Sequence, residues 1–434
     1  MLANDQGCGD LGALGASGPA TRRLRVRALS AKLNPPPTNP CRSGRSRYHA
    51  LKITADIQVR FEHQLHFTDE ALAPANPALA ESVRPRSDGP APVLAFIDTG
   101  VARCHPNFPE RLRAYASAHA GRFKLVGRVE PVVGGELCKN DRDAIYRVLN
   151  AINDARLDRQ SYVLAIGGGA VLDCVGFAAA IAHRGVRLIR MPTTTLAQAD
   201  SGAGLKHGIN GFGKKNYLGS FAVPAAVIND EAILASLDDR DWIAGFSEAV
   251  KVALLKDPGL FRHLARHADA IRQRDLGVAL PVIRRSAELH FRHTAEGGDP
   301  FELTNARPLD FGHWSAHQLE TLSDYHIRHG EAVALGLALD VTYAEHVGLL
   351  PAAAADSIRG CLRRLGFALH HETMLDADAL LAGIEAFREH LGGQLTLTLL
   401  RNIGSPVDVH AVDHLGMRRA LATLATLAAQ PAFE

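Results

Sequence analysis

The stretch from Tyr162 to Pro192 constrains the fold more tightly than any other. An apolar run, YVLAI, meets Gly167, Gly168 and Gly169, continues into the small-residue run AVLDCVGFAAAIA, and is followed by a second strand-like run, VRLIRM, closed by Pro192. Two strands joined through a helix make a βαβ unit, and such units build parallel sheets covered on both sides. VLAFID, ending at Asp98, and AAVIND, ending at Asp230, read as further buried strands, while IQVRFEHQLHF over residues 57–67 alternates as a half-buried strand does. Beyond Asp230 apolar residues recur at three-to-four spacing to about Arg364, which predicts helices; LTLTLL over 395–400 then predicts one more strand before a terminal helix rich in Ala and Leu. The expected fold is α/β, with a sheet-containing domain over 55–238 and a mainly α-helical domain over 239–434, the boundary falling near Leu237 to Trp242.

At 434 residues with 47% hydrophobic side chains the chain is long enough for two cores. A formal net charge of +2 provides no global field for nucleic acid, and no apolar run has membrane length. Cys8, Cys41, Cys104, Cys138, Cys174 and Cys361 include no CxxC pair, and no signal-peptide core precedes them, which predicts a reduced, cytoplasmic protein. Residues 1–54 differ in kind. Pro35, Pro36 and Pro37 stand in a row, the first fifty residues hold seven arginines against only Asp5 and Asp10, and no hydrophobic period appears, so a disordered extension is expected. An Arg-rich, acid-poor start also resembles an organelle transit peptide or a misassigned start codon.

Three glycines between strand and helix let backbone N–H groups approach a pyrophosphate at the positive end of the helix dipole. Such a turn also serves as a plain connector, and the GxGxxG pattern is absent. Asp98 at a strand end is placed to accept from a ribose hydroxyl, and Glu136 and Lys139 in GGELCKND suit the same nucleotide edge. The segment PTTTLAQADSGAGLKHGINGFGKKN, residues 192–216, reads as a long glycine-rich loop carrying Asp200, Lys206, Lys215 and Asn216, where an anionic substrate binds readily.

Glu248 in AGFSEAVK, His313 and His317 in DFGHWSAH, and His329 in RHGEAVALG supply one carboxylate and three imidazoles from separate segments, the donor set of a catalytic zinc site. His313 and His317 lie four apart and share one helix face, which fits a ligand pair and fits simple packing as well.

In order, GGGAVLD, PTTTLAQADSGAGLKHGIN, GKKN, SEAVK, DFGHWSAHQLE and HGEAVALG resemble the sugar phosphate cyclases typified by 3-dehydroquinate synthase, over about Val93 to Gly404. The resemblance implies an N-terminal NAD-binding Rossmann-like domain, a mainly helical metal-binding domain, a homodimer, and an active site in the cleft between domains. It implies zinc or cobalt on Glu248, His313 and His329, with His317 instead contacting substrate phosphate. Asp200, Lys206, Asn216, Lys251 and Glu302 are then catalytic-cleft residues, and Arg184 reaches the phosphate across the dimer interface. Asp98, Glu136, Lys139, Gly168, Gly169, Asp173, Thr193, Thr194 and Lys215 match cofactor-binding positions. The implied reaction is the redox-neutral, NAD-dependent carbocyclisation of a phosphorylated seven-carbon sugar with loss of phosphate. For the shikimate pathway of aromatic amino acid biosynthesis, the substrate is 3-deoxy-D-arabino-heptulosonate 7-phosphate.

The departures cluster on substrate contacts. Where the family reads EGLRxLLNFGHT, this chain reads FELTNARPLDFGHW: the arginine that holds the substrate carboxylate falls on Ala306, with Arg307 one place off, and the asparagine becomes Asp310. An upstream lysine becomes Arg292, and a DKK motif becomes Phe387, Arg388 and Glu389, leaving Arg388 as the candidate stand-in. An aspartate beside phosphate repels it unless protonated or paired, so Asp310 points to a shifted pose or a different substrate; the alternative is a cyclase of specialised metabolism acting on sedoheptulose 7-phosphate, which lacks the carboxylate. A metal-dependent polyol or glycerol dehydrogenase, whose metal set typically leads with Asp, and a catalytically dead binding homologue are the rival classes.

Overall fold

The computed structural model describes residues 52–303 and 308–429. The extension expected over residues 1–54 lies outside the described residues up to residue 51, as do Cys8, Cys41, Ala306 and Arg307. Eleven strands form: β1 Leu65–Thr68, β2 Ala91–Asp98, β3 Phe123–Leu125, β4 Glu130–Val132, β5 Tyr162–Gly167, β6 Arg187–Pro192, β7 Lys206–Gly211, β8 Lys214–Phe221, β9 Ala226–Asp230, β10 Leu397–Asn402 and β11 Ser405–Val409.

Seven of them build one parallel sheet in the order β1-β9-β6-β5-β2, with β3 and β4 both paired to β2. Side-chain alternation divides its two faces. Val93, Ala95 and Ile97 join one buried cluster with Leu164 and Ile166, while Leu94 and Phe96 join the opposite cluster with Val163 and Ala165. Because β5 is buried throughout, its sequence is continuously apolar, as the βαβ reading requires. Val93 is in register with Tyr162 and Gly167 with Pro192, so Asp98, Gly167 and Pro192 end at one carboxyl edge, where open α/β sheets bind their ligands.

From Asp239 onward helices pack around a third core that includes Trp242, Phe246, Phe311, Trp314 and Leu339. The chain does not end purely helical: β10 and β11 pair antiparallel before the helix His414–Ala429. Among the described residues, no helix is long and apolar enough to cross a membrane, and Cys104, Cys138, Cys174 and Cys361 are free thiols.

Two expectations need correction. The alternating run 57–67 is strand only from Leu65, the short length that pairs with β9. Residues 192–216 are not a loop: a π-helical turn, Ala197–Ser201, precedes the β7–β8 hairpin. The hairpin turn is made by Phe212 and Gly213, both at positive φ (55° and 72°), the geometry that suits right-twisted strands. Glycine richness here serves close packing. A Cβ on Gly208 would fall 2.8 Å from Asn216 Oδ1, and one on Gly176 in the helix Gly169–Ile181 would fall 2.0 Å from His207 Nδ1.

The segment's shape is held from beneath by Arg190. This buried β6 residue donates from Nη1 to the carbonyls of Gly202 (3.0 Å) and Gly204 (2.7 Å), and from Nη2 to that of Lys206 (2.8 Å). Backbone acceptors take the place of a carboxylate partner, and Asp200 and Lys206 flank the clamped stretch.

Candidate active site

A cleft of about 1720 Å³ opens along the carboxyl edge of the sheet and is closed on the far side by the helices. Asp98, Glu136, Lys139, Gly168, Gly169, Asp173, Thr194 and Lys215 line it from the nucleotide set; Asp200, Lys206, Asn216, Lys251, Glu302, His313, His317 and His329 line it from the substrate and metal set. Three residues are not part of this lining, and Glu248, fully buried, is the first. Thr193 is buried and gives its N–H to Gly167 O at 3.0 Å, so it shapes the strand end rather than facing the cleft. Arg184 is exposed outside the cleft of its own chain, in a turn where His183, Arg184 and Gly185 all have positive φ.

At the nucleotide end the geometry is a cradle without side chains. A Cβ on Gly134 would lie 2.4 Å from Asp98 Oδ2, one on Gly168 3.2 Å from Thr194 Cγ2, and one on Gly169 2.8 Å from Ser201 Oγ. Asp98 caps the helix Thr99–Cys104 by accepting from Gly100 N at 2.7 Å; burial raises its pKa against the pull of those N–H bonds. Lys139 is buried, with Nζ 2.8 Å from Asp173 Oδ2 and 2.5 Å from Asn216 Oδ1. Burial alone would lower its pKa, but Asp173 and Glu136 outweigh burial and raise it. Glu136 accepts from Asn210 Nδ2 at 3.0 Å, tying the loop to β7.

At the opposite end the helix Asp239–Lys256 carries Glu248, the helix His313–Leu322 begins with His313, and the helix His329–His346 begins with His329. Starting a helix at a ligand places its imidazole at the rim, where it meets Glu248 from the side. His313 Nε2 and His329 Nε2 stand 3.4 and 3.3 Å from Glu248 Oε1. Neither Glu248 oxygen meets a donor in hydrogen-bonding geometry, although both are buried and Lys251 Nζ lies 2.6 Å from Oε2. Burial would raise the Glu248 pKa; Lys251 and His313 overcome it and hold the group ionised, well below the carboxylate range.

A fully buried carboxylate with unsatisfied oxygens, facing two imidazole nitrogens, is the environment a divalent cation completes. One ligand atom from each of the three residues falls within 4.8 Å of the others, so the donor set fits zinc. His317 stands outside this set. Its ring is 5.5 Å from that of His313, and burial together with Lys215 drives its pKa well below the ordinary imidazole value, leaving it neutral.

The structure also shows what the sequence reading missed. His290, on the helix Leu276–Glu296, lines the cleft and places Nδ1 2.6 Å from Asp200 Oδ1. Arg292, two residues on, pairs with Glu288 at 2.9 Å and lies outside the cleft lining. Half a turn of helix separates the two positions, and only the phase of the apolar face distinguishes them. Arg388 likewise pairs with Glu385 and leaves Phe387 to line the cleft, so it is no stand-in for the missing lysine. Glu320, at the third position after His317, is buried in the cleft wall and is likewise absent from the sequence-based site. Lys206 Nζ meets Glu302 Oε1 at 2.5 Å across the cleft mouth.

Models of the N-terminal and C-terminal regions of 3-dehydroquinate synthase match residues 130–244 and 245–387. A 2-epi-5-epi-valiolone synthase of Streptomyces glaucescens is 33% identical over 370 residues, covering 85% of this chain and 92% of that protein. The chain belongs to the 3-dehydroquinate synthase family. Within the family, a 3-dehydroquinate synthase of Halorhodospira halophila is 36% identical over 60% of this chain and 73% of its own length. Among solved structures, the 2-epi-5-epi-valiolone synthase of Streptomyces hygroscopicus subsp. jinggangensis, with NAD+ and Zn2+ bound, superposes with a TM-score of 0.78 at 30% identity, covering 87% of this chain and all of that one.

Proposed function

We propose that this member of the 3-dehydroquinate synthase family is an NAD- and zinc- or cobalt-dependent cyclase that converts sedoheptulose 7-phosphate to a valiolone-type cyclitol with loss of phosphate. The observation that carries the choice of substrate is Asp310. It lines the cleft on the turn before His313, near enough to Lys251 to raise that ammonium's pKa alongside Glu248 and Asp200. By sequence, the arginine that holds the family's substrate carboxylate falls on Ala306, and an aspartate stands where the family has an asparagine, so this chain offers a carboxylate-bearing substrate less positive charge. Sedoheptulose 7-phosphate has no carboxylate to be repelled. The relatives named 2-epi-5-epi-valiolone synthase support the same choice.

Glu248, His313 and His329 would hold the metal, while the glycine turn, Asp98, Glu136, Lys139, Asp173 and Thr194 would hold the dinucleotide. When bound, NAD+ accepts and later returns hydride, and the metal polarises the substrate hydroxyl that loses it. The chain's own groups do the rest. Lys206, Asn216 and the neutral His317 would contact the phosphate, with Arg184 joining from a second copy in a homodimer. Asp200, whose pKa is held down by Lys251 and His290 against the upward push of burial, keeps its carboxylate ionised at neutral pH. The Asp200–His290 pair, in contact at 2.6 Å, would take and return a proton within the cleft. Both reacting ends belong to one bound molecule, so closure of the ring is favoured by proximity.

The test is phosphate release by purified protein with zinc and catalytic NAD+, comparing the two seven-carbon substrates. Release from sedoheptulose 7-phosphate without accumulation of NADH is expected. Release from 3-deoxy-D-arabino-heptulosonate 7-phosphate alone would return the protein to 3-dehydroquinate synthesis, and net NADH from a simple polyol would make it a dehydrogenase.

A further inference from the structure

Glu320 lies seven residues after His313 on the same helix, with its side chain 2% exposed. Its Oε2 is 3.0 Å from His329 Nδ1, and its Oε1 meets Lys215 Nζ. His329 Nε2 points the other way, toward Glu248 Oε1. Lys215 Nζ also stands 3.4 Å from His329 Nδ1, but an ammonium has no acceptor and Nδ1 cannot both donate and accept. The shorter, charge-assisted contact to the carboxylate decides: Nδ1 carries a hydrogen toward Glu320, which leaves Nε2, on the Glu248 side, as the nitrogen a metal would take.

A second arrangement competes with this one. One ligand atom each from His317, Glu320 and His329 also falls within 4.8 Å, so His329 is shared between two potential metal sets. The ammonium of Lys215, brought in by β8 from 105 residues away and 6% exposed, sits on Glu320 within that second set. A buried carboxylate must have a cation near it, and here the chain supplies its own.

We propose that Glu320 is a positioning residue that fixes the tautomer and ring orientation of His329 for the metal, and that Lys215 occupies the place of a second cation and so confines the metal to the Glu248 side. The inference rests on Glu248, His313 and His329 being the metal set. A carboxylate behind a ligating histidine raises its basicity and holds its ring; loss of such a partner weakens metal binding by roughly 10–100-fold.

The experiment uses the full chain, stripped of metal, titrated with zinc against a chromophoric chelator and melted with and without zinc. Wild type is expected to take one zinc per chain. Glu320→Gln should take one zinc with affinity lowered roughly 10–100-fold, and the zinc-induced rise in Tm should shrink with it. Glu320→Asp, which keeps the charge but withdraws it by one methylene, should fall between the two and serves if the glutamine variant does not fold. Lys215→Ala should bind a second zinc. An unchanged zinc affinity and unchanged zinc-induced increment in Glu320→Gln, with only the metal-free Tm lowered, would show Glu320 to be merely structural and overturn its role. A single zinc in Lys215→Ala would overturn the exclusion role. A wild type that binds no zinc would instead sink the underlying metal reading.

Discussion

His207 gives the clearest quantitative expectation. Its ring is 2% exposed, and Arg190 Nη2 donates to Nδ1 at 2.9 Å. With Nδ1 accepting, Nε2 carries the hydrogen and donates to Ala222 O at 3.0 Å. A second proton would set two buried cations in contact. Burial first, then Arg190, lowers the imidazole pKa from 6.5 to about 3. Because the folded value lies below the unfolded one, the folded chain resists protonation. The stabilisation is complete above the unfolded value and is lost as pH falls from about 6.5 toward 3. At pH 5, one and a half units below the unfolded value, the loss is about 2 kcal/mol at roughly 1.36 kcal/mol per unit. His207→Gln keeps an acceptor and a donor but cannot titrate. Urea unfolding of both proteins at pH 7.5 and pH 5 isolates the term, since every other ionising group is common to both. Wild type should lose about 2 kcal/mol more than the variant over this interval. Equal losses would refute the argument that the Arg190–His207 contact holds the ring neutral.

Three further outcomes are expected. His313→Ala should lose zinc and phosphate-releasing activity with its unfolding midpoint little changed, whereas Glu248→Ala should lose both and also roughly 3–5 kcal/mol of stability, because Lys251 is left as a buried unpaired cation; turnover equal to wild type in either variant would remove the metal assignment. Gly134→Ala places a methyl 2.4 Å from Asp98 Oδ2 and displaces that carboxylate, so NAD+ affinity measured calorimetrically should fall about tenfold, or roughly 1.4 kcal/mol; undiminished affinity would take Asp98 out of the nucleotide site. Arg184→Ala should lower turnover and regain part of it when mixed with an inactive His313→Ala partner, since each hybrid then contains one intact site; no regain would place Arg184 outside the reaction.

The parallel sheet was legible because burial on both faces forces continuous apolar runs, a rule that β2 and β5 obey and that β6 breaks only with arginines. The cluster of Glu248, His313 and His329 was legible only through ordered motifs: spacing alone pairs His313 with His317, and no local pattern shows that Glu248 fits between His313 and His329 instead. The hairpin over 206–221 was misread because its glycines were taken for loop signals, whereas several are small to admit Asn216 and His207. His290 and Glu320 were missed for a different reason. Each is defined by contacts with residues at least nine positions away in sequence, Asp200 for the first and Lys215 and His329 for the second, and a side chain's partner across a cleft leaves no periodic trace in its own segment.

The departures from the family pattern acquire a common physical cause once placed in the cleft. The dinucleotide cradle and the Glu248, His313 and His329 constellation are assembled from glycines and buried ion pairs, where a single change strands a charge or fills the cradle. Asp310, Phe387 and Ala306 belong to the other category: by sequence each falls on a position where the family contacts its substrate. Phe387 is 7% exposed and offers a wall rather than an ammonium, while Arg388 is committed to Glu385. A substrate carrying a carboxylate as well as a phosphate would therefore face two fewer cations and one more anion than the family site provides, and at an effective dielectric near 20 each such contact at about 4 Å is worth roughly 4 kcal/mol. Changes of that size are enough to reverse the preference between substrates without touching hydride transfer or ring closure, which is what the proposed substrate requires.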